Sequence, residues 1–322
     1  MSAVVLAALM WAVVACCAFP LRRGRDRSVL VAAALMAASF TVTIEAVYLA
    51  VDDLLGVPNV ADLVKHTLFV AAVAVLGHGL TKAVGGSVLP RAAAWIAPAV
   101  VIVVQTATFA AIDMHHGTTT SFMTVYGHQP EAAVYSMVHF AYFGATMGAT
   151  GVACLRSGLS SAPTVVRTGV RFLLAACAVS VVTALALVVR DVTALTGPAS
   201  LSDALQRAYA PMLLLSVLLV ALGLGLPPLM AGATRRRLAR ELPALTTRLA
   251  RLRDRASGRS GSLRFPSDVR MPGDEPTPLD ELHRLVVEVR DQMFLDPGFE
   301  PTPDELAALT RSERLVGRLE LL

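Results

Sequence analysis

Glu45, Lys65, His66, Gln105 and His139 are the side chains whose chemistry fits their surroundings least, because each interrupts a long apolar run. A carboxylate, an ammonium group and two imidazoles can hold a polar ligand, exchange protons or neutralise one another. A charged side chain near the centre of a membrane helix costs about 2.5–3.5 kcal/mol on insertion scales, so each of these needs a partner or a task. Other residues offer less. The run Asp113-Met114-His115-His116, with His128 further on, is rich in imidazole. Adjacent histidines cannot share a helix face, and no cysteine or close carboxylate pair completes a zinc set. That loop reads as solvated, and no metal or other cofactor is expected. Cys16, Cys17, Cys154 and Cys177 all sit in apolar runs without ligand spacing and read as small packing residues.

The elements that must position these groups follow from composition. Of 322 residues 55% are hydrophobic and only 16% charged, with a mean hydropathy of +0.62; soluble domains run nearer a quarter charged. The deficit is local. Before residue 230 the acids are Asp26, Glu45, Asp52, Asp53, Asp62, Asp113, Glu131, Asp191 and Asp203, whereas from Ala231 onward nearly every third residue is charged. Two solvents are implied, with the boundary near residue 230.

A helix crossing a hydrocarbon core needs roughly 20 apolar residues. Seven stretches qualify: 2–19, 29–51, 63–80, 92–112, 132–155, 169–189 and 208–230. The third, with Lys65, His66 and His78, is the most polar. The first connection carries Arg22, Arg23, Arg25 and Arg27, the third Lys82 and Arg91, and the fifth Arg156, Arg167 and Arg171. The second and fourth carry acids only, and the sixth has Arg190 and Arg207 at its edges beside Asp191 and Asp203. Basic residues favour the cytoplasmic side, so the odd connections are placed inside and the N-terminus outside. The first span has its arginines after the apolar run, the reverse of a secretory signal, and reads as a retained anchor. The expectation is an all-α, polytopic seven-helix bundle, N-out and C-in, in the plasma membrane of a bacterium.

On that topology Glu45, Lys65, His66, Gln105 and His139 fall in the outer half of the membrane, on four helices. Two readings follow. In one they line a polar cavity open to the outside, with Glu45 paired to Lys65 or His66, fit for a small ligand or for protons. In the other, which is preferred, they form a structural ion pair while Lys65 reaches the interface. The fifth span carries Gly144, Gly148 and Gly151, a small-residue stripe that lets helices approach closely, within the bundle by default or in a homodimer. The last span has no lysine, which excludes a retinal-type Schiff base there. No internal repeat is visible, which weighs against inverted-repeat transporters.

Residues 1–230 thus form the membrane domain, and 231–322 a cytosolic tail. In 231–256, Pro227-Pro228 ends the last span and Arg235, Arg236, Arg237 and Arg240 mark the inner interface. Leu238, Leu242, Leu245, Leu249 and Leu252 recur at helical spacing, with Pro243 expected to start a second helix. Such a basic amphipathic stretch can lie on anionic lipid, pack on the rest of the tail or meet a cytosolic protein. Residues 257–276 read as a linker, and 277–322 as a helical hairpin. Its helices open with Thr277-Pro278 and Thr302-Pro303, each with an acid in the first turn. Leu282, Val286, Val289 and Met293 form one face, and Leu306, Leu309, Val316 and Leu319 the other. The acidic excess after Phe265 suits contact with the basic stretch before it. No nucleic-acid partner is expected.

The stretch His283-Arg284-Leu285-Val286-Val287-Glu288-Val289-Arg290-Asp291, following a multi-span region and Leu242-Pro243, resembles the tail of an uncharacterised actinobacterial membrane family. The match covers about a tenth of the chain, and an aromatic residue expected after the Leu-Pro element is absent. Members are commonly labelled putative transporters and often lie near helix-turn-helix regulators and metallopeptidases. The resemblance implies a signalling or stress role and carries over no functional residue. A membrane sensor with a partner-recruiting tail is preferred over a small-solute or proton-coupled transporter. An intramembrane enzyme would need an Asp dyad, a zinc pair or a Ser-His arrangement, and none is legible.

Overall fold

The computed structural model describes residues 3–18, 27–83, 91–156, 164–260, 278–296 and 298–319, which hold helices and no strand. They fall into two compact units, Met1–Leu229 and Met230–Leu322. The first contains α1 (Ala3–Ala18), α2 (Ser28–Val42), α3 (Glu45–Leu55), α4 (Val60–Ala83), α5 (Arg91–Ala111), α6 (Phe122–Tyr126), α7 (Pro130–Arg156), α8 (Thr164–Thr196) and the first part of α9 (Ala199–Ser260). Four stretches are long and apolar enough to cross a membrane: Val60–Lys82, Pro130–Arg156, Val165–Thr196 and Ser200–Pro227. Counting α2 and α3 as one bent span makes five; Ala3–Ala18 and Trp95–Ala111 are apolar but shorter. These apolar helices fit a membrane protein. Arg22, Arg23 and Arg25, and residues 84–90 and 157–163 of the basic connections, lie outside the described residues.

The expected straight span over 29–51 is broken. Helix α2 stops at Val42 and α3 leaves at 87° to it, with Ile44 extended between them. The cause is local: Thr41 and Thr43 bond back to the carbonyls of Ala37 and Ser39, hydroxyl bonds of the kind that bend helices. Gly56 in the left-handed region closes α3, its N–H bonding to the Asp52 carbonyl. Glu45 therefore begins a new helix beyond the bend instead of lying two turns inside a span.

Close backbone approach sets the remaining helices. Helix α7 packs along α8 through the glycine stripe. A Cβ on Gly144 would come within 2.9 Å of the Ala184 Cβ, and one on Gly151 within 3.2 Å of the Cys177 Cβ. Helix α4 meets α2 on one side and α7 on the other, and α5 packs on α4 and α7. Met10, Ala33, Ala37, Leu76, Ala176 and Val220 bring α1, α2, α4, α8 and α9 into one apolar core. The two residues in closest approach to the stripe, Ala184 and Cys177, are small, as expected where helices associate by packing alone.

In the second unit the later part of α9 joins α10 (Pro278–Leu295) and α11 (Pro303–Leu319). Pro227-Pro228 does not end α9 and Pro243 does not start a helix, for α9 runs unbroken from Ala199 to Ser260. A proline removes one backbone donor, and a helix absorbs the loss when its side chains are held by packing. Next to Pro243, Leu242 and Leu245 are held in this way. Leu245, Leu249 and Leu252 are buried against Leu282, Leu285, Val289, Leu309 and Val316, with Leu242 and Met293 at the margin. Leu245, Leu249 and Leu252 of the leucine stripe are thus core residues of this unit. Leu306 departs from expectation and is exposed. Thr302 and Glu305 cap α11 reciprocally: the Glu305 N–H donates to Thr302 Oγ1 at 3.4 Å and the Thr302 N–H to Glu305 Oε2 at 2.7 Å. Residues 261–276 of the expected linker and the Thr277 cap lie outside the described residues, while Ser257–Ser260 finish α9.

Gly144→Val should lower the thermal midpoint of the purified chain, overpacking costing about 1–3 kcal/mol. Gly225→Ala, whose added Cβ meets nothing within 4 Å, should not lower it and should raise it slightly, as alanine suits a helix interior better than glycine. Leu249→Ala should cost the second unit about 2–5 kcal/mol, read as lost hydrogen-exchange protection in α10 and α11 of the full chain. Bonds from Arg237 and then Arg311 hold the Glu241 carboxyl below its ordinary 4.5. Partial burial opposes the Glu305 carboxylate, yet its bonds with Thr302 and Arg255 outweigh it and lower that pKa too. Both groups are more acidic folded than unfolded, so their stabilisation is present above 4.5 and fades as pH falls through the lower folded values. Protection of α11, corrected for intrinsic exchange, should fall in that window, and less so in Glu241→Gln.

Candidate functional site

Asp62 lies in the first turn of α4 with 1% of its surface exposed. Its Oδ1 receives Lys65 Nζ at 2.5 Å, and its Oδ2 receives the Tyr135 hydroxyl at 3.0 Å and faces His66 Nδ1 at 3.0 Å. Residues three and four positions apart share a helix face, so Asp62, Lys65 and His66 converge by sequence spacing alone. Tyr135 comes from α7. Its single proton goes to Asp62, so His66 Nδ1, 2.6 Å from the Tyr135 oxygen, is the donor of that second bond. Lys65 Nζ also stands 5.9 Å from the Tyr48 ring centroid of α3, and the Lys65 carbonyl accepts the Ser39 hydroxyl of α2 at 2.8 Å.

The His66 ring lies 4.3 Å, centroid to centroid, from that of His139, one turn along α7 from Tyr135. His139 is 3% exposed and its Nδ1 is 3.2 Å from Gln105 Nε2 of α5, itself fully buried. An amide nitrogen only donates, so His139 Nδ1 accepts and the ring is neutral with its proton on Nε2. Gln105 Oε1 is buried without a hydrogen-bond partner among the described residues. An orphaned acceptor of this kind costs about 1–3 kcal/mol.

Ser136, beside Tyr135, extends the network to α8. Arg190 donates through Nη2 to Ser136 Oγ at 3.2 Å, through Nη1 to Gln206 Oε1 of α9 at 2.6 Å, and through Nε to Asp191 Oδ1 at 2.9 Å. Phe109, Phe122 and Tyr126 pack with Tyr135 beside this cluster. A second buried acid holds the adjoining loops. Asp52 of α3 accepts the backbone N–H of Asn59 at 2.6 Å and of Ala61 at 2.8 Å, and the Thr118 hydroxyl at 2.9 Å. Asn59 adopts the left-handed backbone at φ 59°, a conformation asparagine tolerates. Its side chain receives the Thr119 N–H and donates to the Gly117 carbonyl.

The structure therefore brings together four of the five residues singled out in the sequence: Lys65, His66, Gln105 and His139. Glu45 is exposed at the start of α3, and the partner of Lys65 and His66 is Asp62 instead. Sequence reading assigned Asp62 to a connection, although Asp-x-x-Lys-His was legible as one helical face. Tyr135 and Ser136 carried no such signal, since their partners Asp62 and Arg190 lie on other helices, and the adjacent pair Arg190-Asp191 gave no sign of its link to Ser136 and Gln206. In the second unit Arg236, Arg237 and Arg240 are exposed. The side chains of Arg235 and Leu238 lie outside the described ones. Basic and acidic stretches do meet there, through Arg253–Glu288, Arg255–Glu305 and Arg311–Glu241. No cluster of three or more metal-binding side chains occurs among the described residues.

No protein-family model matches the chain, no curated protein matches it, and no solved structure matches its fold.

Removing one member of a buried ion pair strands the other charge, at about 3–5 kcal/mol. Asp62→Leu should therefore destabilise the purified chain by that order in denaturant titration. Asp62→Leu combined with Lys65→Leu should recover much of the loss, because no unpaired charge is left.

Proposed function

We propose that this protein is a bacterial plasma-membrane sensor of seven spans, N-terminus outside and C-terminus in the cytoplasm, whose tail 231–322 recruits a protein partner. The two short apolar helices and the bent pair supply the three spans beyond the four long ones, and the loop charges set the orientation. The observation that carries the reading is where charge is buried. Among the described residues the buried aspartate, histidine and arginine side chains of the first unit are Asp52, Asp62, His139, Arg190 and Asp191. Contacts through Tyr135, Ser136 and Thr118 gather them at the end where the second, fourth and sixth connections meet.

A transport path needs polar groups facing the solute from one side of the bundle to the other. Here Asp62 pairs with Lys65 and Asp191 with Arg190, while Asp52 is met by N–H groups and a hydroxyl, all at one end. That suits an input at the outer face better than a conduit. The output in this reading is the second unit, which has its own core and exposes Val287, Phe294 and Leu295 of α10 to solvent. The chain passes from one unit to the other within α9, which supplies Gln206 to the first and Leu245, Leu249 and Leu252 to the second.

A cysteine at Thr120 should react on whole cells with a membrane-impermeant maleimide, above the wild-type level, and one at Arg251 only after permeabilisation. Captured from solubilised membranes by a tag, the full chain should retain a cytosolic protein that is lost in Phe294→Asp. Proteoliposomes that take up a solute in an Asp62-dependent way, with no retained protein, would instead establish the transporter.

A further inference from the structure

His139 and Gln105 meet in an arrangement that leaves one buried atom without a partner. Gln105 Nε2 faces His139 Nδ1 at 3.2 Å while Gln105 Oε1 has no donor among the described residues. Turning the amide over exchanges the two atoms. Oε1 would then face Nδ1, and the contact becomes a hydrogen bond only when Nδ1 carries a proton. We propose that His139 and Gln105 form a proton-binding site, in which His139 Nδ1 takes up a proton from external water and the Gln105 amide turns to accept it.

The surroundings allow the charge. Facing His139 are His66, Asp62 and Lys65 from α4, with Tyr135 on its own helix. Arg190 and Asp191 stand on α8, Tyr209 of α9 touches Phe140, and Tyr48 of α3 lies over Lys65. Lys65 and Arg190 are balanced by Asp62 and Asp191, so the site is neutral before uptake and carries one positive charge after it. His66 lies between His139 and the Asp62 carboxylate and shares that charge. It also supplies the way in, since 16% of its side chain and 19% of that of Lys65 are exposed, against 3% of His139. Asp62 and Tyr135 keep the proton on His66 Nδ1, which leaves its other nitrogen free to pass one on. The inference stands apart from the sensor reading: a chain that binds this proton and recruits no partner keeps the one and loses the other.

The test uses the full chain in lipid nanodiscs with nitrogen-15 histidine, followed by NMR between about pH 4 and 9. His139 is the resonance missing from His139→Gln or, where that variant does not accumulate, the one that moves most in Gln105→Glu. The expected result is a bare Nδ1 at the alkaline end and both nitrogens protonated at the acid end. The midpoint should rise by roughly one pH unit in Gln105→Glu, which offers a charged acceptor, and fall by about as much in Gln105→Leu, which offers none. A His139 that stays neutral throughout, or whose midpoint is the same in all three proteins, overturns the proposal.

Discussion

A carboxylate removed from water must be neutralised and hydrogen-bonded, or the helix carrying it does not stay in an apolar bundle. Asp62 imposes that condition, and much of the first unit can be read as meeting it. Lys65 and His66 follow at the only spacings that keep them on the same face of α4. Tyr135 must then stand opposite, which fixes the height of α7 against α4. Once α7 is fixed, the glycine stripe sets its distance from α8, and Ser136 meets Arg190. Two different forces therefore share the work. Close packing without side chains sets how near the helices come, and the polar cluster sets their register, a role that dispersion between apolar surfaces performs poorly.

Asp52 meets the same requirement by other means. Among the described residues no cation pairs with it; its three hydrogen bonds come from two backbone N–H groups and a hydroxyl. Those donors belong to a turn and a loop, so the carboxylate ties irregular backbone to the bundle where no helix could satisfy it. The 87° departure of α3 makes this possible by carrying Asp52 across to the turn at Asn59 and the loop at Thr118. A straight span would have pointed it elsewhere.

The contrast explains what could be read in advance. Apolar helices are legible because apolar length is a property of consecutive residues. Each expected stretch falls on a helix or on the bent pair, and four of them are long and apolar enough to cross a membrane, or five with that pair. The convergence of Lys65, His66, Gln105 and His139 was foreseeable only as a shared depth. Their meeting depends on helix rotation, which is decided by Asp62 and the glycines together. The bend after Val42 rests on hydroxyls bonding one turn back, a signal that Thr41 and Thr43 also give in straight helices. Pro243 misled for the opposite reason. It is a strong local signal overridden by Leu242, Leu245 and Leu249, whose burial depends on helices some thirty and more residues away.

That override also bears on the tail's role. An amphipathic stretch beside a membrane has one apolar face, and it can spend that face once. Here α10 and α11 occupy it, since Leu249, Leu252, Leu282 and Leu309 are all fully or nearly fully buried together. Arg236, Arg237 and Arg240 stay exposed on α9, but the apolar face by which such a helix would insert firmly into a membrane is occupied. Among the described residues, apolar side chains left on the surface of the second unit include Leu306 of α11 and, on α10, Val287, Phe294 and Leu295. Val287 and Phe294 are seven residues apart, two turns of one face. Phe294, at 86% exposure, is the kind of side chain that a protein partner would cover and that solvent alone gives no reason to keep.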